Sequence, residues 1–349
     1  MKDDKKKVKL TDYDIGLAFL RPFLAFAVIM KHCYNPRKDF RKWTNFYLRA
    51  DCFLFHVPIF MIMALYFSQK TIISNNYKKK FERLKRLFIP YFFWPFIIVN
   101  LDNILKLSIN IYINISFKDL KQQYLYGFGL LGHFWYQWDL IFITIIYYFL
   151  SLLFKAHLNF ILILISITSF IYQYNGENYK FLSKFRNYDG RKVTLGRFLE
   201  MIPFSVVGFV IASNNILQLL RKYKIKVFLV CIYIAYFLYY YNIFSTIKGS
   251  CYHGIKLYLI SICLFISFSM FPSEIIKNKI IIKLIKQITN YTAGIYYLHV
   301  PIFLFIQKIS LQFRNKKFEC CIILYLICYL ISFLGSLIFN RTILKHLFE

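Results

Sequence analysis

Apolar residues along this chain come in unbroken runs, and short lysine-rich stretches separate the runs. Each run is about 17–25 residues long, and a helix needs about 20 residues to cross the ~30 Å hydrocarbon core of a bilayer. Inside lipid the backbone has no water to bond, so each run must satisfy its own N–H and C=O groups as helix. The alternating ten-residue segments of a membrane β-barrel are not seen. The pattern predicts spans near 15–34, 48–67, 87–104, 134–154, 157–174, 198–217, 226–246, 255–272, 291–310 and 320–341. The fourth and fifth are nearly contiguous and are divided around Lys155 to His157. The expected fold is therefore all-α, a polytopic transmembrane helical bundle of about ten spans with no soluble domain. Residues 1–14 read as a basic tail and 15–349 as one integral membrane domain. The first run is too long for a cleaved signal peptide and lacks a small-residue cleavage site, so it is expected to be retained.

Composition sharpens this picture. Hydrophobic types make up 58% of the 349 residues and charged types 17%, against about 25% charged in an average soluble domain. The net charge of +29 suits loops lying on anionic lipid headgroups. Nucleic-acid binding would need a folded basic surface outside the membrane, and no loop is long enough to form one, so no such partner is expected. Lysine and arginine are nearly balanced between the two sides. The stretches Lys2 to Lys9 and Lys78 to Arg86 favour a cytoplasmic N-terminus. An even number of spans then puts both termini there. The eight cysteines are scattered, several of them within apolar runs. Their spacing fits neither a zinc site nor a disulfide framework, so no metal is expected.

Polar residues inside apolar runs carry the candidate chemistry, because an intramembrane charge is costly and usually faces a cavity or a partner. The first span holds Arg21, Lys31 and His32. Arg21 and His32 are eleven residues apart. That is close to three helical turns, so both point the same way, about 16 Å apart along the axis. Asp14 lies on the same stripe. Snorkelling to the two surfaces is the alternative, and it suits Lys31. Before the third span, Arg83 and Arg86 stand one turn apart beside Lys78 to Lys80. Such cations suit lipid phosphates, or the phosphates of a ligand, which guanidinium forks bind bidentately. The fourth span opens with His133, Trp135 and Asp139, either an interfacial aromatic belt or a pocket mouth. His299 should lie near mid-membrane, between Gly294 and Pro301 and next to Tyr296. It reads equally as a core histidine or a site residue. His56 and Glu200 are weaker candidates.

This ordered set resembles the membrane acyltransferase-3 family, bacterial-type O-acyltransferases of about ten helices. Arg21 to His32 fits the family's basic residue, ten residues, then histidine. Arg83, Arg86, Pro90 and Tyr91 fit the pattern leading its third helix. His133 and Trp135 fit the fourth, Pro203, Phe204 and Gly208 the sixth, and Gly294, Ile295, Tyr296 and His299 the late helix. Two places depart from it: Met61 to Leu65 replaces a Phe-x-x-Ser-Gly element, and Lys31 directly precedes His32. The resemblance implies acyl transfer, usually of acetyl, from acetyl-CoA or another acyl-CoA to a hydroxyl of a cell-surface glycan or exopolysaccharide, in a bacterial plasma membrane. It implies catalytic roles for His32, Arg21 and His299 and binding of the coenzyme phosphates by Arg83 and Arg86. His133, Trp135, Asp139 and Tyr296 would line the pocket. A glycan or lipid transporter is the competing reading, since it too needs intramembrane charges. Against it, the chain shows no internal repeat and has only twelve glycines.

Overall fold

The computed structural model describes residues 12–33, 54–109, 117–126, 134–178, 190–244, 255–272, 274, 276, 278–309 and 318–340. Its helices are α1 (Asp12–Cys33), α2 (His56–Ile73), α3 (Tyr77–Ile109), α4 (Phe117–Tyr126), α5 (Trp135–Leu153), α6 (Leu158–Asn178), α7 (Gly190–Ser213), α8 (Lys224–Phe244), α9 (Ile255–Ser269), α10 (Lys279–Asn290), α11 (Thr292–Ile309) and α12 (Phe318–Asn340). No strand occurs among the described residues, and the fold is an all-α bundle. Each predicted apolar run, over its described residues, falls mainly on helix. Five segments are long and apolar enough to cross a membrane: His56–Ile73, Trp135–Leu153, Lys155–Tyr172, Gly196–Ser213 and Ile216–Tyr240. Ile15–Met30, Ile255–Ser269 and Tyr325–Ile338 are shorter and also apolar. The division at Lys155 to His157 is a single 3-10 turn between α5 and α6.

The second span lies later than the hydropathy predicts, at His56–Ile73 rather than 48–67. The extra turns carry Ser68 and Gln69, which look like a stop in the sequence, but both are satisfied. Ser68 Oγ donates to Ala64 O at 2.6 Å, and Gln69 Nε2 donates to Ser213 Oγ at 3.1 Å. The third helix also begins earlier than expected, because the charged run after Tyr77 is itself helical. The helix of the sixth span stops at Ser213, and Asn215 then takes a left-handed φ of 51°.

The bundle is apolar outside as well as inside. Phe149, Leu152 and Leu153 on α5, Phe160 on α6, Tyr233 and Tyr236 on α8 and Leu330 on α12 are all exposed. A soluble monomer rarely shows apolar surface on this scale. The interior also holds small hydroxyls, and these bond back along their own helices. Thr144 donates to Leu140 O at 2.7 Å, Ser261 to Leu257 O at 2.8 Å, and Ser336 to Ser332 O at 2.6 Å. Such back-bonding lets a hydroxyl sit in a core without stranding its proton. Small residues then allow close helix crossings, the usual basis of helix association in membranes. Gly208 of α7 lies against Ile62 O of α2, and Gly16 of α1 lies against Phe268 O, just before the end of α9. A Cβ at either glycine would overlap that carbonyl. The chain is thus built as a membrane protein, with α2 and α7 at its centre and α1 packed among α9, α10, α11 and α12.

Candidate active site

A cavity of about 760 Å³ lies among α1, α2, α3, α5, α10 and α11. Its two cations come from distant parts of the chain, Arg21 of α1 and Arg83 of α3. No aspartate or glutamate lines it among the described residues. The Arg21 guanidinium lies over the Phe67 ring, 5.1 Å from its centroid. Arg83 Nη2 donates to Ala64 O at 3.3 Å. Arg83 Nε is buried with no hydrogen-bond partner, and Arg83 forms no ion pair among the described residues. Ala64 and Met63, both in the element where the sequence departs from the family pattern, form part of this wall.

Polar groups line the rest of the cavity. Tyr136 and Gln137 open α5, Thr289 and Asn290 close α10, and Thr292, Tyr296 and Tyr297 begin α11. Gln137 is fixed by donating from Nε2 to Leu87 O at 2.8 Å. Thr289 Oγ1 donates to Ala18 O, tying the end of α10 to α1 one turn before Arg21. Tyr296 and Tyr136 meet edge-on with centroids 6.1 Å apart. The Tyr297 ring stacks on Trp94 and Phe134 at 5.7 and 5.8 Å. The cavity therefore offers two guanidinium groups, several hydroxyl and amide groups, and aromatic walls. That set suits an anionic, partly apolar ligand of substantial size.

The expected site residues divide into those the cavity gathers and those it does not. Arg21, Arg83 and Tyr296 line it. Arg86 does not: one turn beyond Arg83 it is exposed, with its Nε donating to Glu82 O at 3.4 Å. The two arginines thus do not form one fork, because a three-residue step turns Arg86 off the inward face. Lys80, one turn before Arg83, is buried beside Tyr148 and Ser151, with Nζ 3.4 Å from Ser151 Oγ. Burial, with Lys155 nearby, lowers its pKa. Arg83, which stays charged at any working pH, is the firmer cation. His299 is fully buried behind Tyr296, with Nδ1 2.7 Å from Tyr296 O and the two ring centroids 6.0 Å apart. It does not line the cavity, so it touches the site through Tyr296. His32 lies in the last turn of α1. Its side chain, and all of His133, lie outside the described residues. The helix between Arg21 and His32 is continuous, which preserves the three-turn register.

Trp135 and Asp139 form a second cluster with a residue the sequence did not mark. Arg197 of α7 places Nε 3.4 Å from Asp139 Oδ2, with the side chains 10% and 0% exposed, and its guanidinium lies 4.6 Å from the Trp135 ring centroid. Asp139 Oδ1 and Arg197 Nη2 remain buried without partners. Breaking such a pair from one side leaves a bare buried charge and costs roughly 3–5 kcal/mol, whereas replacing both with apolar groups costs far less. Arg197→Met should therefore lower the melting temperature in detergent more than the double change Asp139→Leu with Arg197→Met. The reverse order would show that the pair does not lock α5 to α7. The only signal in the sequence was an arginine immediately before an apolar run, with its partner 58 residues away.

Among the described residues no group of three or more His, Cys, Asp or Glu side chains is placed to hold a metal ion. No curated protein and no solved structure matches the chain. The acyltransferase-3 family model, described as an acyltransferase domain, matches residues 14–341. That match runs from α1 to the end of α12 and takes in the helices that wall the cavity, so the chain belongs to the acyltransferase-3 family of membrane acyltransferases.

Proposed function

We propose that this protein is a membrane O-acyltransferase that takes an acyl group, acetyl by preference, from acyl-CoA and passes it to a hydroxyl of a cell-surface glycan. The supporting observation is the cavity in which Arg21 and Arg83 meet, lined by no acid among the described residues, with Arg83 Nε lacking a partner. Guanidinium groups bind phosphate oxygens through paired N–H donors, and the coenzyme carries phosphates at one end and a thioester at the other. In this reading Arg83 and Arg21 hold the phosphates, and the pantetheine arm runs along α1 toward His32, about 16 Å further on.

There the imidazole of His32 takes the proton from the acceptor hydroxyl as its oxygen attacks the thioester carbonyl. The tetrahedral intermediate collapses with cleavage of the C–S bond, and the departing thiolate takes the proton from the imidazolium. Imidazole suits both transfers because its ordinary pKa of about 6.5 lies near working pH. The oxyanion needs preorganised donors beside His32, and the Tyr296 hydroxyl in the cavity wall holds the arm that leads there. His299 acts as a positioning residue, holding the α11 turn that carries Tyr296. The cytoplasm supplies the coenzyme at the end of the bundle where α1 begins, and the glycan approaches from the other end.

Purified protein in detergent or nanodiscs, given acetyl-CoA and a polysaccharide acceptor, should release free thiol in step with ester formation on the acceptor. A glycan transporter would release none, and that outcome would overturn the proposal.

A further inference from the structure

α10 lies outside the mechanism except at its last two residues, and its pattern differs from every spanning helix. It runs Lys279-Ile-Ile-Ile-Lys-Leu-Ile-Lys-Gln-Ile-Thr-Asn290, capped at its start by Asn278, whose side chain accepts from the Ile280 and Ile281 amides. At 100° per residue the three lysines, 279, 283 and 286, fall within an arc of about 60°. Ile281, Leu284, Ile285 and Ile288 occupy the opposite side, with Ile280 at its edge and only Ile282 near the lysines, so the helix is strongly two-faced. Part of the apolar side packs on α1. The rest does not: Ile280, Ile281 and Leu284 are 76%, 46% and 52% exposed, and no residue of α10 is fully buried. The helix carries no acid. The preceding acid, Glu274, is engaged by Lys224 Nζ at 2.9 Å.

We infer that α10 lies in the plane of the membrane surface, with Ile280, Ile281 and Leu284 in the acyl-chain boundary and Lys279, Lys283 and Lys286 on the headgroups of anionic phospholipid. Exposed isoleucines beside a row of lysines on a membrane protein match one environment in both halves: apolar chains below and negative phosphates above. A water-filled surface would leave the isoleucines uncovered, and the bilayer interior would strand the lysines. The position also has a consequence for the cavity. The last turn of α10 supplies Thr289 and Asn290 to its wall, and Thr289 holds Ala18 of α1. Anionic lipid that fixes α10 therefore also fixes one wall of the cavity.

The inference rests on the membrane placement of the chain and not on acyl transfer, so a binding readout tests it separately. Hydrogen exchange of the α10 amides is to be followed in the full-length protein, reconstituted either in pure phosphatidylcholine or in phosphatidylcholine with a quarter phosphatidylglycerol. Exchange should slow at least about tenfold in the anionic bilayer, and the gain should vanish in 1 M salt, where the Debye length is about 3 Å. Each lysine near an anionic surface is worth about fivefold in affinity. The triple variant K279Q/K283Q/K286Q, which keeps helix propensity nearly unchanged, should therefore lose the protection entirely. Equal exchange in the two bilayers would overturn the inference. So would a triple variant that is folded and still protected by phosphatidylglycerol.

Discussion

Replacing His32 with alanine should lower kcat for acyl transfer by about 10²–10⁴-fold, the usual contribution of a positioned general base. The apparent KM for the acyl-CoA should not move, because the cations assigned to the coenzyme lie three helical turns away at Arg21 and in α3. This separation is the informative part. A change confined to kcat in a fully folded variant marks a group that acts on the reacting atoms, whereas a loss of folded protein also lowers the apparent kcat and is told apart by a lower melting temperature. The variant must therefore be shown to insert and melt like the parent. A folded His32→Ala protein with full kcat would remove the imidazole from the reaction.

The opposite split is expected at Arg83. Arg83→Gln should raise the apparent KM for the acyl-CoA roughly 10–100-fold, since a hydrogen bond to a charged group is worth about 1.5–3 kcal/mol and each 1.4 kcal/mol is tenfold. The kcat at saturation should stay within a fewfold. Arg86→Gln is the internal control. Arg86 lies exposed outside the cavity, and exposed charges contribute about 0–1 kcal/mol, so its KM should change by no more than about fivefold. Equal effects at the two positions would return both arginines to the membrane surface as lipid contacts.

The fold was largely legible in the sequence, because a bilayer forces each spanning segment to be both apolar and helical, and runs of that kind show in one dimension. What the runs could not show was polar groups satisfied by other helices. Gln69 sits inside α2 because Ser213 of α7 accepts its proton, and Ser68 beside it bonds back to Ala64 of its own helix, so the second span appeared to end too early. α10 escaped because its lysines recur every third or fourth residue and so break the apolar run that marks a span. The site was legible where one helix carries its own logic, as in the Arg21 to His32 register. It was less legible where partners meet across the bundle. Nothing near Arg197 in the chain points to Asp139, and a basic stretch alone does not reveal that Arg83 turns inward while Arg86 turns out. Tyr136 looked like one more ring in an interfacial belt. Its place in the same cavity as two guanidinium groups comes from the packing of α5 on α2 and α3.

The proposal that the cavity between Arg21 and Arg83 receives the acyl donor can be tested by photolabelling. A coenzyme A analogue with a photoreactive group on its adenosine end, next to the phosphates, irradiated with the purified protein, should label peptides containing residues 60–67, 83–87 or 289–297. Excess acetyl-CoA should compete that labelling away, and Arg83→Gln should weaken it. Competable labelling confined to other helices, or none at all in a protein that still transfers acyl groups, would contradict the account.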